Sequence, residues 1–153
     1  MNRILLIFFI SALLSGSTIA GNFNQLQFQR YTTEHGLPVG TVWKVYQDSC
    51  GFMWFGTEDG LTFFDGTQFK NYTTTGNPGF TISNNKVYDI IQGYNKLLYI
   101  ATGEGITVFN KITGRFSVLE IADTTKNYLG QMVRSIYVES DSIIFAGTQT
   151  LGV

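Results

Sequence analysis

The sequence predicts an all-β protein, and three observations carry that prediction. Aromatic residues make up 15% of the 153 residues and charged ones only 14%, alongside 17 Gly and 2 Pro. Such a mixture is rich in strand and turn formers and poor in the Ala, Glu, Lys and Leu runs that build helices. Tight-turn signals such as Asp65-Gly66 separate short apolar runs. Those runs also recur at a fixed interval. Val42-Trp43-Lys44-Val45, Val87-Tyr88-Asp89-Ile90 and Val133-Arg134-Ser135-Ile136 follow one another at offsets of 45 and 46 residues. Trp54-Phe55-Gly56-Thr57, Tyr99-Ile100-Ala101-Thr102 and Phe145-Ala146-Gly147-Thr148 keep the same two offsets. Two landmarks holding one spacing mark a structural repeat.

Each repeat reads as four short strands. In the first they cover Thr41 to Gln47, Phe52 to Thr57, Leu61 to Phe64 and Phe69 to Tyr72. Asp48 to Gly51 and Asp65-Gly66 supply the turns, Asp by capping the backbone and Gly by accepting unusual dihedrals. A looser linker, Thr73 to Asn84, leads to the next repeat. Short strands repeating every forty-odd residues are the signature of propeller blades. Leu97-Leu98-Tyr99-Ile100 and Ile143-Ile144-Phe145-Ala146 are apolar throughout, which calls for cover on both faces. A two-layer sandwich can also bury such strands, but nothing in a sandwich imposes a fixed period.

The expected architecture is therefore a β-propeller fragment. About two complete four-stranded blades occupy residues 41–84 and 85–130, with part of a third in residues 131–153. Phe28-Gln29-Arg30-Tyr31 is similar to Phe69-Lys70-Asn71-Tyr72, a fourth strand, yet no first three strands precede it. Within residues 21–40, Gln25 to Tyr31 is expected to be an orphan N-terminal closing strand that completes the last blade of a longer ring.

Residues 1–20 differ in kind. Arg3 is followed by an apolar run from Ile4 to Leu14 and then by the small residues of Ser15 to Ala20. This is the pattern of a cleavable export signal, with Gly21 as the mature start. An apolar stretch of about eleven residues covers roughly half of a bilayer core, too little for a transmembrane helix. The expected location is the periplasm. The formal net charge of -1 offers no basic surface for phosphate, so nucleic-acid binding by this segment is not expected.

Few residues invite a catalytic reading. Cys50 is the single cysteine and lies in a predicted turn without a neighbouring His, so no disulfide and no thiol nucleophile is expected. His35, the single histidine, stands before Gly36-Leu37-Pro38 and has no companion carboxylate or cysteine cluster, which favours a loop role. Asp48, Asp59 and Asp65 each sit at a Gly-containing turn, where capping explains them without a metal. Gly103-Glu104-Gly105 precedes no helix and is discarded as a phosphate loop. No catalytic residue, metal site or cofactor is expected.

One slot stands out. Trp43, Tyr88 and Arg134 occupy the same position in three repeats whose frame is otherwise steady. A varying slot in a constant frame is where a propeller can line a binding face. Trp and Tyr rings stack on sugars, and Arg recognises carboxylates. These three are the candidate ligand-binding residues. The plainer reading, that they pack between blades, is the favoured one.

Gly36-Leu37-Pro38, Val42 to Asp48, Gly51, Trp54-Phe55-Gly56-Thr57, Asp59-Gly60-Leu61, Phe64-Asp65-Gly66 and Phe69 to Tyr72 together resemble the two-component regulator propeller repeat. The second repeat departs from that pattern, with Ala101 for the Gly, Tyr99 for the Trp and Gly93 to Lys96 for the Asp-to-Gly turn. The resemblance implies a periplasmic sensor propeller from a hybrid two-component system, of a type that commonly detects oligosaccharides released from glycans. It also implies a homodimeric parent anchored in the inner membrane through a downstream span, with a histidine kinase and further blades beyond Val153. The expected function is ligand sensing without catalysis in this chain. The alternatives are a propeller enzyme acting on glycans and a protein-binding scaffold.

Overall fold

The computed structural model describes residues 27–120, 131–150 and 152. Among these described residues, ten strands form three antiparallel sheets. The first sheet holds β1 (Val42–Gln47), β2 (Met53–Thr57), β3 (Gly60–Phe64) and β4 (Phe69–Tyr72), in that spatial order. The second repeats the arrangement with β5 (Val87–Gln92), β6 (Leu98–Thr102), β7 (Gly105–Asn110) and β8 (Arg115–Val118). The third pairs β9 (Val133–Val138) with β10 (Ile144–Thr148). These are two four-stranded blades and the opening pair of a third, so the all-β propeller architecture stands.

The chain divides into two units, Met1–Arg30 and Tyr31–Val153. In the first, residues 27–30 are described and carry no helix or strand. The expected export signal of residues 1–20 and the first residues of the expected closing strand, Gln25 and Leu26, lie outside the described residues. At the start of the second unit, Tyr31 packs its ring against Phe64 and Phe69, with centroids 5.1 and 5.4 Å away. His35 closes a 3₁₀ turn, Thr33–His35, and its Nδ1 accepts the Thr32 amide at 3.0 Å. That is local loop chemistry.

Two apolar layers hold the blades together. One joins blade one to blade two through Trp54, Leu61, Val87, Ile90, Leu98, Ile100, Phe109 and Phe116, with Ile82 of the linker buried among them. The other joins blade two to blade three through Tyr99, Ala101, Ile106, Val108, Val133 and Ile136. β6 is buried along its whole length, as a strand covered on both faces must be. β10 is not. Its Phe145 is 46% exposed, and Ile143 just before it is 47% exposed, because among the described residues nothing packs over that side of the third blade.

Close approach explains the Gly of the repeat landmark. A Cβ on Gly56 would stand 2.8 Å from the Val87 carbonyl oxygen and 2.9 Å from Val87 Cγ1, on the neighbouring blade. The following Thr closes the turn in each blade. Thr57 Oγ1 donates to the Gly60 carbonyl at 2.9 Å, Thr102 Oγ1 to that of Gly105 at 3.0 Å, and Thr148 Oγ1 to that of Gly152 at 2.9 Å.

Candidate functional site

The slot singled out in the sequence has a distinct backbone. In blade one the β1–β2 ladder passes from Val42↔Thr57 to Lys44↔Gly56 and leaves Trp43 without a partner. Blade two does the same at Tyr88, between Val87↔Thr102 and Asp89↔Ala101. Blade three passes over Arg134, between Val133↔Thr148 and Ser135↔Gly147. Each of the three residues is thus the extra residue of a β-bulge, a device that bends the strand and re-aims a side chain.

The bulges bring the three side chains into one stack. The rings of Trp43 and Tyr88 lie 4.9 Å apart and 9° from parallel. The Arg134 guanidinium sits over Tyr88 at 4.2 Å from its centroid. Its Nη2 also donates to Gln149 Oε1 at 3.1 Å. Tyr88 is therefore engaged by both Trp43 and Arg134. Trp43, 41% exposed, and the exposed Arg134 keep free surface. The stack can present an aromatic face and a guanidinium to one ligand, with Tyr88 as the spacer between them.

Beneath the stack runs a charged tie that the sequence alone does not reveal. Lys44 Nζ lies 2.7 Å from Asp89 Oδ1, linking blade one to blade two. Asp89 Oδ2 accepts the Ile136 amide at 2.8 Å, linking blade two to blade three. Lys44 and Asp89 occupy the slot next to the bulge, so the same repeat frame that places the stack places the tie.

At the far end of β1, Asp48 does more than cap its turn. Its Oδ1 accepts the amides of Cys50 and Phe52 at 2.8 and 3.2 Å. Its Oδ2 accepts Trp54 Nε1 and Lys111 Nζ, each at 3.1 Å. Burial opposes the charge of this carboxyl, yet the donors from Trp54, Cys50 and Lys111 outweigh it and hold the group below its ordinary value. In blade two Gly93 stands at the Asp48 position and Tyr99 at the Trp54 position, and it is Asn95, two residues further along the turn, whose Nδ2 donates to Tyr99 Oη at 2.9 Å. No local signal in the first repeat announces the contact between Asp48 and Trp54. Asp65 accepts from the amides of Gln68 and Thr67 and from the Thr67 hydroxyl, all at 2.8 Å, an ordinary turn cap.

Among the described residues no three His, Cys, Asp or Glu side chains gather where a metal could be held. None of the described helices is long and apolar enough to cross a membrane.

Comparison with known proteins agrees with this architecture. Residues 36–59 match the family model described as two component regulator propeller. Among solved structures, one named as the extracellular domain of the hybrid two component system BT3049 from B. thetaiotaomicron superimposes with a TM-score of 0.64. It shares 29% identity over 77% of this chain. The extracellular domain of a system named BT4673, from the same organism, gives TM-scores of 0.65 at 23% identity and 0.60 at 25% in two structures. Those two alignments cover 80% and 70% of this chain. The chain spans 17%, 18% and 15% of the three larger chains. Comparison with curated proteins finds no match.

Proposed function

From a chain that carries the two component regulator propeller repeat, we propose a ligand-sensing segment of a periplasmic signal-transduction receptor. The ligand class is a glycan-derived oligosaccharide, bound without chemistry in this chain. The observation that carries the reading is the bulge-borne stack of Trp43, Tyr88 and Arg134. An open indole face suits the apolar face of a pyranose, and a guanidinium two side chains away suits a carboxylate on the next residue of an acidic oligosaccharide. Bulges at one slot in three successive blades direct these groups together, which a purely structural strand pairing does not need. The structural neighbours, named as extracellular domains of one component or hybrid two component systems, support an exported location. Output then belongs to the rest of the receptor, expected to be a membrane-anchored homodimeric kinase.

The test is binding of neutral and acidic oligosaccharides to this chain and to Trp43→Ala and Arg134→Gln variants, read by calorimetry. Loss of affinity in Trp43→Ala for all bound sugars, and in Arg134→Gln for acidic ones alone, is the expected result. Undiminished affinity in both variants removes the stack from the site.

A further inference from the structure

The junction of blade one with blade two carries more aromatic rings than the repeat requires. Phe52 just before β2, Trp54 on β2, Phe63 on β3 and Tyr72 on β4 stand on the blade-one side. At the equivalent places blade two has Leu97, Tyr99, Val108 and Leu119, so three of these four rings have no ring as counterpart. Together with Phe109 of β7 they line a pocket of about 160 Å³ between the two blades. Ring centroids lie 4.8 Å apart for Trp54 and Phe63, 5.2 Å for Phe52 and Phe63, and 5.4 Å for Trp54 and Phe109. Trp54 and Phe109 are buried and form the floor, while the partly buried Phe63 and Tyr72 and the exposed Phe52 form the mouth.

The polar groups of the lining are already paired within the protein. Asp48 and Lys111 complete the wall. The Asp48 carboxylate accepts four hydrogen bonds, from the amides of Cys50 and Phe52, from Trp54 Nε1 and from Lys111 Nζ, which fills its acceptor sites. Lys111 Nζ turns its donors to Asp48 Oδ2 at 3.1 Å, Gln92 Oε1 at 3.5 Å and Cys50 Sγ at 3.8 Å. The two charges cancel. Among the lining side chains only the Tyr72 hydroxyl makes no hydrogen bond to a described residue.

A charged guest would exchange its hydration for groups that are engaged elsewhere, and a sugar would leave most of its hydroxyls unmatched. An apolar cavity of about 150 Å³ holds one benzene ring. Aromatic walls add edge and face contacts that an aliphatic ring lacks. We infer that this pocket binds an uncharged compound of one aromatic ring, bearing at most one hydroxyl. Both its place and its ligand class differ from those of the Trp43 stack, and neither site depends on the other.

Phenol and cyclohexanol share a six-membered ring with one hydroxyl and differ in aromaticity, and benzoate adds a charge. Each is titrated into this chain, and the indole NH signals of its two tryptophans, Trp43 and Trp54, are followed by NMR. Phenol is expected to shift the Trp54 indole saturably, with a Kd of about 1 mM for a compound of this size, and to leave the Trp43 indole unmoved. Cyclohexanol should bind about two- to tenfold more weakly, the worth of one aromatic pair, and benzoate more weakly than phenol. Phe52→Ala removes an exposed ring from the mouth and should weaken phenol binding by a similar factor. Trp43→Ala should bind phenol as the unaltered chain does. Thermal melts separate loss of the pocket from loss of the fold, and the Trp54 signal of the unaltered chain decides the matter even where a variant does not fold. No saturable shift at Trp54, cyclohexanol or benzoate binding as tightly as phenol, or undiminished phenol binding in a folded Phe52→Ala overturns the inference. A shift confined to Trp43 also overturns it, by moving the ligand to the stack.

Discussion

Trp43 and Tyr88 stand 45 positions apart in the chain yet lie face to face, with ring centroids 4.9 Å apart and planes within 9° of parallel. Each is the bulged residue of the first strand in its blade, so the stack is a contact between equivalent positions of adjacent repeats. A double-mutant cycle on Trp43→Ala and Tyr88→Ala is expected to return a coupling of about 0.5–1 kcal/mol, the lower part of the range for aromatic pairs because Trp43 is partly exposed. Urea unfolding of the four variants measures it.

Asp89 joins three blades through Lys44 and the Ile136 amide. Asp89→Ala strips the partner from a buried amide and is expected to cost about 1–3 kcal/mol in urea unfolding. Lys44→Gln should cost under about 1 kcal/mol, because the lysine is more than a third exposed and solvent screens its half of the pair. Equal losses in the two variants would show that the ion pair, not the amide, holds the tie.

Gly56 has no room for a methyl group. Gly56→Ala pushes a Cβ against the Val87 backbone and is expected to destabilise by about 1–3 kcal/mol, the usual cost of overpacking. The second blade carries Ala101 at this position, fully buried, so the space between its blades differs from that in the first. Thermal unfolding of Gly56→Ala checks the expectation, and an unchanged midpoint would contradict it.

Asp48 gives stability a pH dependence. Its carboxyl titrates lower in the folded chain than in the unfolded one, so on acidification the unfolded state takes up the proton first. The contribution is complete above the ordinary carboxylate value and is lost as the pH falls through the lowered folded value. Asp48→Asn, which cannot offer two charged acceptors to Trp54 and Lys111, should be less stable near neutrality. Its stability should also fall less steeply on the acid side. Parallel pH profiles for variant and parent would contradict this.

The strands were legible because their signals are local. Phe69 to Tyr72 is read from the Asp65-Gly66 turn and the apolar run beside it, and the strand observed there has the same bounds. The slot of Trp43, Tyr88 and Arg134 was legible as a varying position, since aligning repeats needs no knowledge of contacts. Their mutual stacking was not, because it depends on a bulge, and nothing in Val42-Trp43-Lys44 announces one. Lys44 and Asp89 likewise meet only through the packing of blade on blade. Asp48 was read as a turn cap, which it is. Its bonds to Trp54 and Lys111 come from a side chain six residues on and another 63 residues on, beyond the reach of turn rules.

That the bulge stack forms the ligand-facing surface of these blades is tested most directly by mapping amide and indole NMR shifts as an acidic oligosaccharide is added to the chain. The largest changes are expected on the Trp43 indole and on Arg134, with Tyr88 moving in step. Saturable binding that leaves those three unmoved and shifts residues elsewhere would contradict it.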